Sequence, residues 1–366
     1  MAGGGQDPVD ASTTSHRADG RGGRPGGRRR GRQRERGSMV PAAEFSSYYG
    51  RPILKKPTWK SPDVPVYLWV GGLAGTSAVV AALGDATRRP ALRRSGRLVA
   101  AGGALVGTVA LMHDLGRPER FLNMLRVIKP TSPLSIGSWI LSPFAAFASV
   151  AAASEITGIA PRLGRLAGWG AALFGPPLAS YTGVLLSNTA IPAWHEARGE
   201  LPVLFVSSGA AAGAGTQLLI TGLTGSGRRD RVPMVRLAVA GAAAELAIGE
   251  ALQKRLDRIP GDIAGVYRTG AAGRWNRLAR ALTACGGLGA LLARRSRVAA
   301  VASGAALVAG SLATRFAVFE AGLASASDPR HVVAPQRARL AERGGHSSAE
   351  GSWLGTENAT SSVPRT

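Results

Sequence analysis

The chain has 366 residues, 45% of them hydrophobic but only 5% aromatic, with 50 glycines and a formal charge of +23. A single cysteine, Cys285, excludes a disulfide framework, a cysteine-ligated zinc site and an iron–sulfur ligand set. The charge does not imply specific nucleic-acid recognition, because nine arginines crowd into residues 17–36 and most other basic residues flank apolar blocks, a pattern suited to anionic headgroups.

Residues 1–38 are rich in glycine and arginine and lack apolar periodicity, which predicts a disordered tail. No apolar stretch follows these arginines as it would in a signal peptide, so the first span is expected to direct insertion. A polar, proline-marked lead-in covers 39–64. Eight apolar blocks then follow, near 65–87, 96–115, 135–157, 166–189, 201–223, 234–252, 276–293 and 298–322. Each is long enough to cross a hydrocarbon layer of about 30 Å, and each is apolar all round rather than striped. The expected fold is an all-α membrane protein of eight transmembrane helices, arranged as two four-helix bundles over 65–322, with a polar C-terminal tail at 323–366. Eight crossings put both termini on one side. Basic residues are nearly balanced between the two sets of loops, and a long arginine-rich tail without a signal is awkward to translocate. The expectation is therefore a cell (cytoplasmic) membrane protein with cytoplasmic termini.

Small residues recur at helical spacing, as at Gly71, Gly72 and Gly75, at Gly103 and Gly107, and at Gly209 and Gly213, which predicts close helix contacts in lipid. The second span ends in "HDLGRPERF", residues 113–121. Pro118 disfavours helix at Arg117, so His113 and Asp114 fall in the last turn. The free carbonyls there favour a cation and not an aspartate, and Arg117 is near enough to answer Asp114. The stretch beyond it puts Phe121, Leu125 and Ile128 on one face, as in a short interfacial helix. This cluster is either a turn held by an ion pair or the charged edge of a site.

In the fourth span, Pro176 and Pro177 predict a helix break that frees the carbonyls of Ala172 and Leu173. Tyr181 follows one turn later. Its phenol either satisfies a neighbouring helix or donates to a ligand such as a quinone oxygen. In the sixth span, Glu245 lies in the interior and Glu250 near the end. An intramembrane carboxylate faces a bundle interior, a cavity or a cation. Glu245 is either paired with Arg315 of the eighth span or part of a proton relay, and Gln217 can join either arrangement. Haem is not expected: bis-histidine ligation needs two intramembrane histidines, and of His16, His113, His195, His331 and His346 only His113 is near a span.

The segments "AEFSSYYGRPILKKPTWK", "VPVYLWVGGLAGTSA", "HDLGRPERFLNMLRVIKPTSPLSIGSWIL" and "YTGVLLSNTAIPAW" resemble the NrfD/polysulfide-reductase membrane-subunit family over about residues 39–322. The resemblance implies an eight-helix, quinone-reactive membrane anchor carrying no haem and no metal. Its implied partners are an iron–sulfur subunit of the ferredoxin type and, through that subunit, a molybdopterin catalytic subunit. Electrons would pass between the clusters and menaquinone or ubiquinone as an exchangeable substrate. The family's charged turn corresponds to Asp114, Arg117 and Pro118 and its quinone-contacting tyrosine to Tyr181, with His113 and Tyr67 as neighbours. Membrane lipid is a further partner, and no specific nucleic acid is expected. The arginine- and glycine-rich composition points to formate as the substrate of the complex. The rival readings are an assembly-only membrane anchor and an ion or substrate transporter built on Glu245, Arg315 and the proline-marked helix.

Overall fold

The computed structural model describes residues 59–115 and 128–341 apart from 226, together with 53–54, 57, 123 and 125–126. The basic tail at 1–38, Arg117, Pro118 and most of the expected interfacial helix lie outside the described residues. Among those described there is no strand. The helices are α1 (Asp63–Ala86), α2 (Pro90–Leu115), α3 (Pro133–Thr157), α4 (Pro161–Ser187), the single turn α5 (Pro192–His195), α6 (Leu201–Thr224), α7 (Arg228–Asp257), α8 (Gly270–Leu292) and α9 (Arg297–Ser327), with a 3₁₀ turn at Ile263–Tyr267. A further helix, α10, covers residues 330–341 within the expected polar tail.

The eight long helices fall on the eight apolar blocks one for one. Several run past their block because their ends are charged, as with Arg93 in α2 and Arg228 to Arg231 in α7. Six of them, α1, α2, α3, α6, α7 and α9, are long and apolar enough to cross a membrane. The other two carry more polar matter: α4 has Arg162, Arg165 and the proline pair, and α8 has Arg274, Arg277 and Arg280 along its first half. Large apolar side chains point outward along the helices, including Leu105, Leu173, Leu288 and Val298, as they do where the solvent is lipid.

Local sequence sets the helix limits. Proline opens α3, α4 and α5, where its missing N–H costs no hydrogen bond. Gly158 and Gly225, with φ of 72° and 75°, close α3 and α6 in a conformation that glycine adopts without strain. Ser296 caps α9 by accepting from the N–H of Ala299 at 3.2 Å. The expected break in α4 does not occur: the helix runs unbroken through Pro176 and Pro177. Proline's fixed φ suits a helix, and only the partners of two carbonyls are lost.

In the first half, α1 packs against α2 and α4, and α3 packs against α2 and α4. In the second half, α6 packs against α7 and α9, and α8 packs against α7 and α9. The halves meet where α1 and α4 touch α6 and where α1 touches α9. Successive long helices alternate in direction, so there are two ends. The near end holds the lead-in and the starts of α1, α3, α6 and α8; the far end holds the starts of α2, α4, α7 and α9.

Glycine makes these crossings close. A Cβ on Gly75 would stand 2.3 Å from the carbonyl oxygen of Gly175, and one on Gly175 would meet Gly75 in the same way, so α1 and α4 touch backbone to backbone. Gly72 and Gly209 do this between α1 and α6, and Gly215 and Gly304 between α6 and α9. Such contact is the main attraction available to helices whose apolar side chains are equally well solvated by lipid tails. Gly75→Ala should therefore lower the detergent melting temperature, with a cost of about 1–3 kcal/mol for overpacking. Gly102→Ala, which faces open space, should stay within about 0.5 kcal/mol of the parent. Thermal unfolding in detergent compares the two, and equal melting would show that the α1–α4 contact is not tight.

Candidate functional site

The site residues expected from sequence separate into two groups, one in each half. In the first half, the hydroxyls of Tyr67 on α1 and Tyr181 on α4 hydrogen-bond directly to each other, and both residues are buried. Tyr181 reaches this position because α3 has no side chain at Gly137: a Cβ there would stand 2.0 Å from the ring carbon Cε2 of Tyr181. Leu178, Phe144 and Leu141 are buried in the same core. In a two-phenol pair one hydroxyl donates to the other, which leaves the second O–H hydrogen to be placed. Among the described residues neither hydroxyl has a further partner.

One turn above Tyr67, about 6 Å along the helix, Asp63 occupies the first turn of α1. Its Oδ2 lies 2.8 Å from Nδ1 of His113, whose ring is 70% exposed at the end of α2. Asp114 accepts from the backbone N–H of Lys60 at 3.2 Å. The near-end rim of the tyrosine pair therefore carries an imidazole and two carboxylates, held by the close of α2 and the opening of α1. The expected Asp114–Arg117 contact lies outside the described residues. Asp63 and Gly137 were not legible as site residues. The available signals were a lone acid in the first turn of a span and a glycine facing a tyrosine, and both are common in helix packing.

The second group lies in the second half. Glu245, 4% exposed, accepts from Thr314 Oγ1 at 2.6 Å and from Thr283 Oγ1 at 3.4 Å. About 18 Å of helix separates it from the end of α7 at Asp257. A narrow cleft connects its surroundings towards the near end, lined by Gln253, Tyr267, Asn276 and Arg280 among apolar side chains. Burial pushes the Tyr267 phenol well above its ordinary pKa, and its hydroxyl has no partner. Glu250 stands apart from this interior. It is half-exposed and paired with Arg280 at 3.0 Å and Lys254 at 3.8 Å.

Glu245 and Arg315 do not form the ion pair that sequence allowed. Arg315 is fully buried and donates from Nη2 to the carbonyl of Phe205 at 2.9 Å and from Nε to that of Leu68 at 3.4 Å. Its guanidinium lies 3.8 Å over the Phe205 ring. The two groups are linked all the same. Thr314 holds Glu245, the adjacent Arg315 holds Leu68, and Leu68 is next to Tyr67. Gln217 joins neither arrangement, since its Oε1 accepts from Ser95 across the α2–α6 contact. Cys285, which small size would let pack inside, lies on an exposed face. No group of metal-ligating side chains occurs among the described residues.

Residues 55–248, more than half of the chain, match the family described as polysulphide reductase, NrfD. The chain belongs to the NrfD family. It is a multi-pass membrane protein, and its relatives generally partner with iron–sulfur and molybdopterin oxidoreductase subunits. A comparison with curated proteins finds no match. The matched segment contains the tyrosine pair, the rim and Glu245, whereas Glu250, Thr283 and Arg315 lie beyond it.

The geometry predicts a coupled cost around Glu245. Thr314→Val removes a buried donor at nearly constant volume and should cost about 1–3 kcal/mol, while Thr314→Ser should retain most of the stability. In a Glu245→Leu background the same Thr314→Val change should cost much less, a non-additivity that a double-mutant cycle of detergent unfolding measures. Additive costs would show that the two side chains do not interact.

Proposed function

We propose that this NrfD-family chain is the quinone-reactive membrane subunit of an oxidoreductase complex. In this reading, its two halves are four-helix bundles crossing the membrane eight times. At the near end it docks a ferredoxin-type iron–sulfur subunit, which serves a molybdopterin catalytic subunit. The observation that carries the proposal is the buried Tyr67–Tyr181 hydroxyl pair, with one hydrogen left to donate, one turn below a rim of titratable side chains.

Quinol oxidation releases two electrons and two protons, and quinone reduction takes up the same number. The electrons require clusters, which belong to the partner; the protons require groups that lead to water. The tyrosine pair supplies a fixed donor for a ring oxygen, pre-set by Gly137 and by the α1–α4 contact. The apolar core around it excludes water, which strengthens such a donor. His113 and Asp63 at the rim can take up a proton and pass it to solvent, since the imidazole is exposed. Thr314 and Arg315 connect Glu245 to the backbone beside Tyr67, so a change at the ring site can bias a carboxyl that exchanges protons through the second-half cleft.

Two other readings meet less support. An assembly-only anchor needs neither the tyrosine pair nor a buried carboxyl. A transporter with paired interrupted helices needs broken helices in both halves, and α4 runs through its proline pair.

Tyr181→Phe should leave the complex assembled and slow quinone-dependent turnover by about a hundred- to a thousand-fold, the usual effect of losing one positioned donor. Turnover at the parent rate in an intact complex would remove Tyr181 from the site.

A further inference from the structure

The far end of the first half carries a charge cluster that electron transfer at the near end does not use. Arg93 of α2 donates a fork to Glu155 in the last turns of α3, Nε to Oε2 at 3.1 Å and Nη2 to Oε1 at 3.0 Å. Arg97 donates to the same carboxylate at 2.9 Å. Asp85, near the end of α1, lies 3.2 Å from Arg165 Nε and 3.8 Å from Arg93 Nη1. These groups line an open cleft of about 180 Å³ between the ends of α1 and α3 and the starts of α2 and α4.

Two features distinguish the cluster from a simple clamp on helix ends. Three guanidiniums face two carboxylates, leaving one positive charge without a counter-ion inside the cleft. The second feature is Arg97 itself. It is only 6% exposed, and its Nε has no hydrogen-bond acceptor. Two glycines of α4 make room for it: a Cβ on Gly168 would stand 3.2 Å from Nη2, and one on Gly164 would stand 3.6 Å from Nη1. A buried charged side chain is thus accommodated at the cost of an unpaired donor.

We propose that this cleft is a binding site for a singly charged phosphodiester, supplied by the headgroup of an anionic membrane lipid. Phosphate oxygens suit the planar donor forks of arginine, and one negative charge balances the site. The surroundings favour a lipid over a free ion. Ile156, Ile159, Leu163 and Leu166 are all exposed on the last turn of α3, the following loop and the first turns of α4, giving acyl chains an apolar surface beside the charged cleft. The cleft lies at helix ends, the depth at which headgroups sit.

The experiment is native mass spectrometry of the full chain, purified with its partners in mild detergent and stripped of lipid. The complex is titrated separately with phosphatidylglycerol, phosphatidylcholine and inorganic phosphate. Phosphatidylglycerol should bind more tightly than phosphatidylcholine. Arg165→Gln, at a largely exposed side chain, should weaken phosphatidylglycerol binding about five-fold, as expected for one arginine at a headgroup. Arg165→Lys should restore most of the preference, and Arg93→Gln should reproduce the loss, with melting temperature checking the fold of each variant. Equal binding of the two lipids, or phosphatidylglycerol binding unchanged in both glutamine variants, would overturn the proposal and leave a clamp on helix ends. Inorganic phosphate that displaces phosphatidylglycerol at equal concentration would overturn the lipid assignment.

Discussion

The buried guanidinium of Arg315 is the contact on which the arrangement of the two halves depends. It arises on α9, reaches across to backbone carbonyls of α1 and α6, and covers the Phe205 ring. Nε and Nη2 find backbone acceptors where lipid supplies none, while Nη1 has no partner among the described residues. The requirement fixes neighbouring sequence. Gly72 must lack a side chain, since a Cβ there would lie 3.2 Å from Nη2, and Gly209 must allow α1 and α6 to approach. Three helices are therefore positioned by one side chain and two glycines.

From that junction the two groups of candidate site residues follow. Leu68, an acceptor of Arg315, directly follows Tyr67, which α1 presents towards α4 and Tyr181. Thr314, the neighbour of Arg315, presents its hydroxyl to Glu245. Near the same end, the lead-in is held to the second half by Trp59, which stacks on the fully buried Trp194 at 5.5 Å between centroids. Trp194 in turn donates to the carbonyl of Val318 at 2.7 Å and occupies the space left by Gly322. A partner docking on this end would meet a surface rigidly joined to both halves.

Long-period features were legible in the sequence, and pairings were not. The eight apolar blocks correspond to the eight long helices, six of them long and apolar enough to cross a membrane, and the resemblance carried by "HDLGRPERF" and its surroundings led to the right family. Proline misled at Pro176 and Pro177, since a helix held by neighbours can absorb two lost hydrogen bonds. The intramembrane charges Glu245 and Arg315 stood out as exceptional, yet their opposite signs suggested a partnership that the fold does not make. The acceptors of Arg315 are carbonyls, and carbonyls occur at every residue, so sequence carries no mark of which ones are used. The same holds for Gly137, whose importance comes only from the ring of Tyr181 opposite it. The cluster of Asp85, Arg93, Arg97, Glu155 and Arg165 assembles from four helices, and its members look separately like ordinary helix-end charges.

The central claim is that the chain passes electrons between a docked iron–sulfur subunit and quinone. It is tested most directly by isolating the tagged protein from its native membrane in mild detergent and following reduction of a menaquinone analogue by the complex. The expected result is co-purification of an iron–sulfur subunit and quinone-dependent turnover in the same fraction. An assembled complex with no quinone turnover would contradict the quinone chemistry and leave an anchor. A protein isolated alone, under conditions that keep other membrane complexes intact, would contradict the electron-transfer assignment itself.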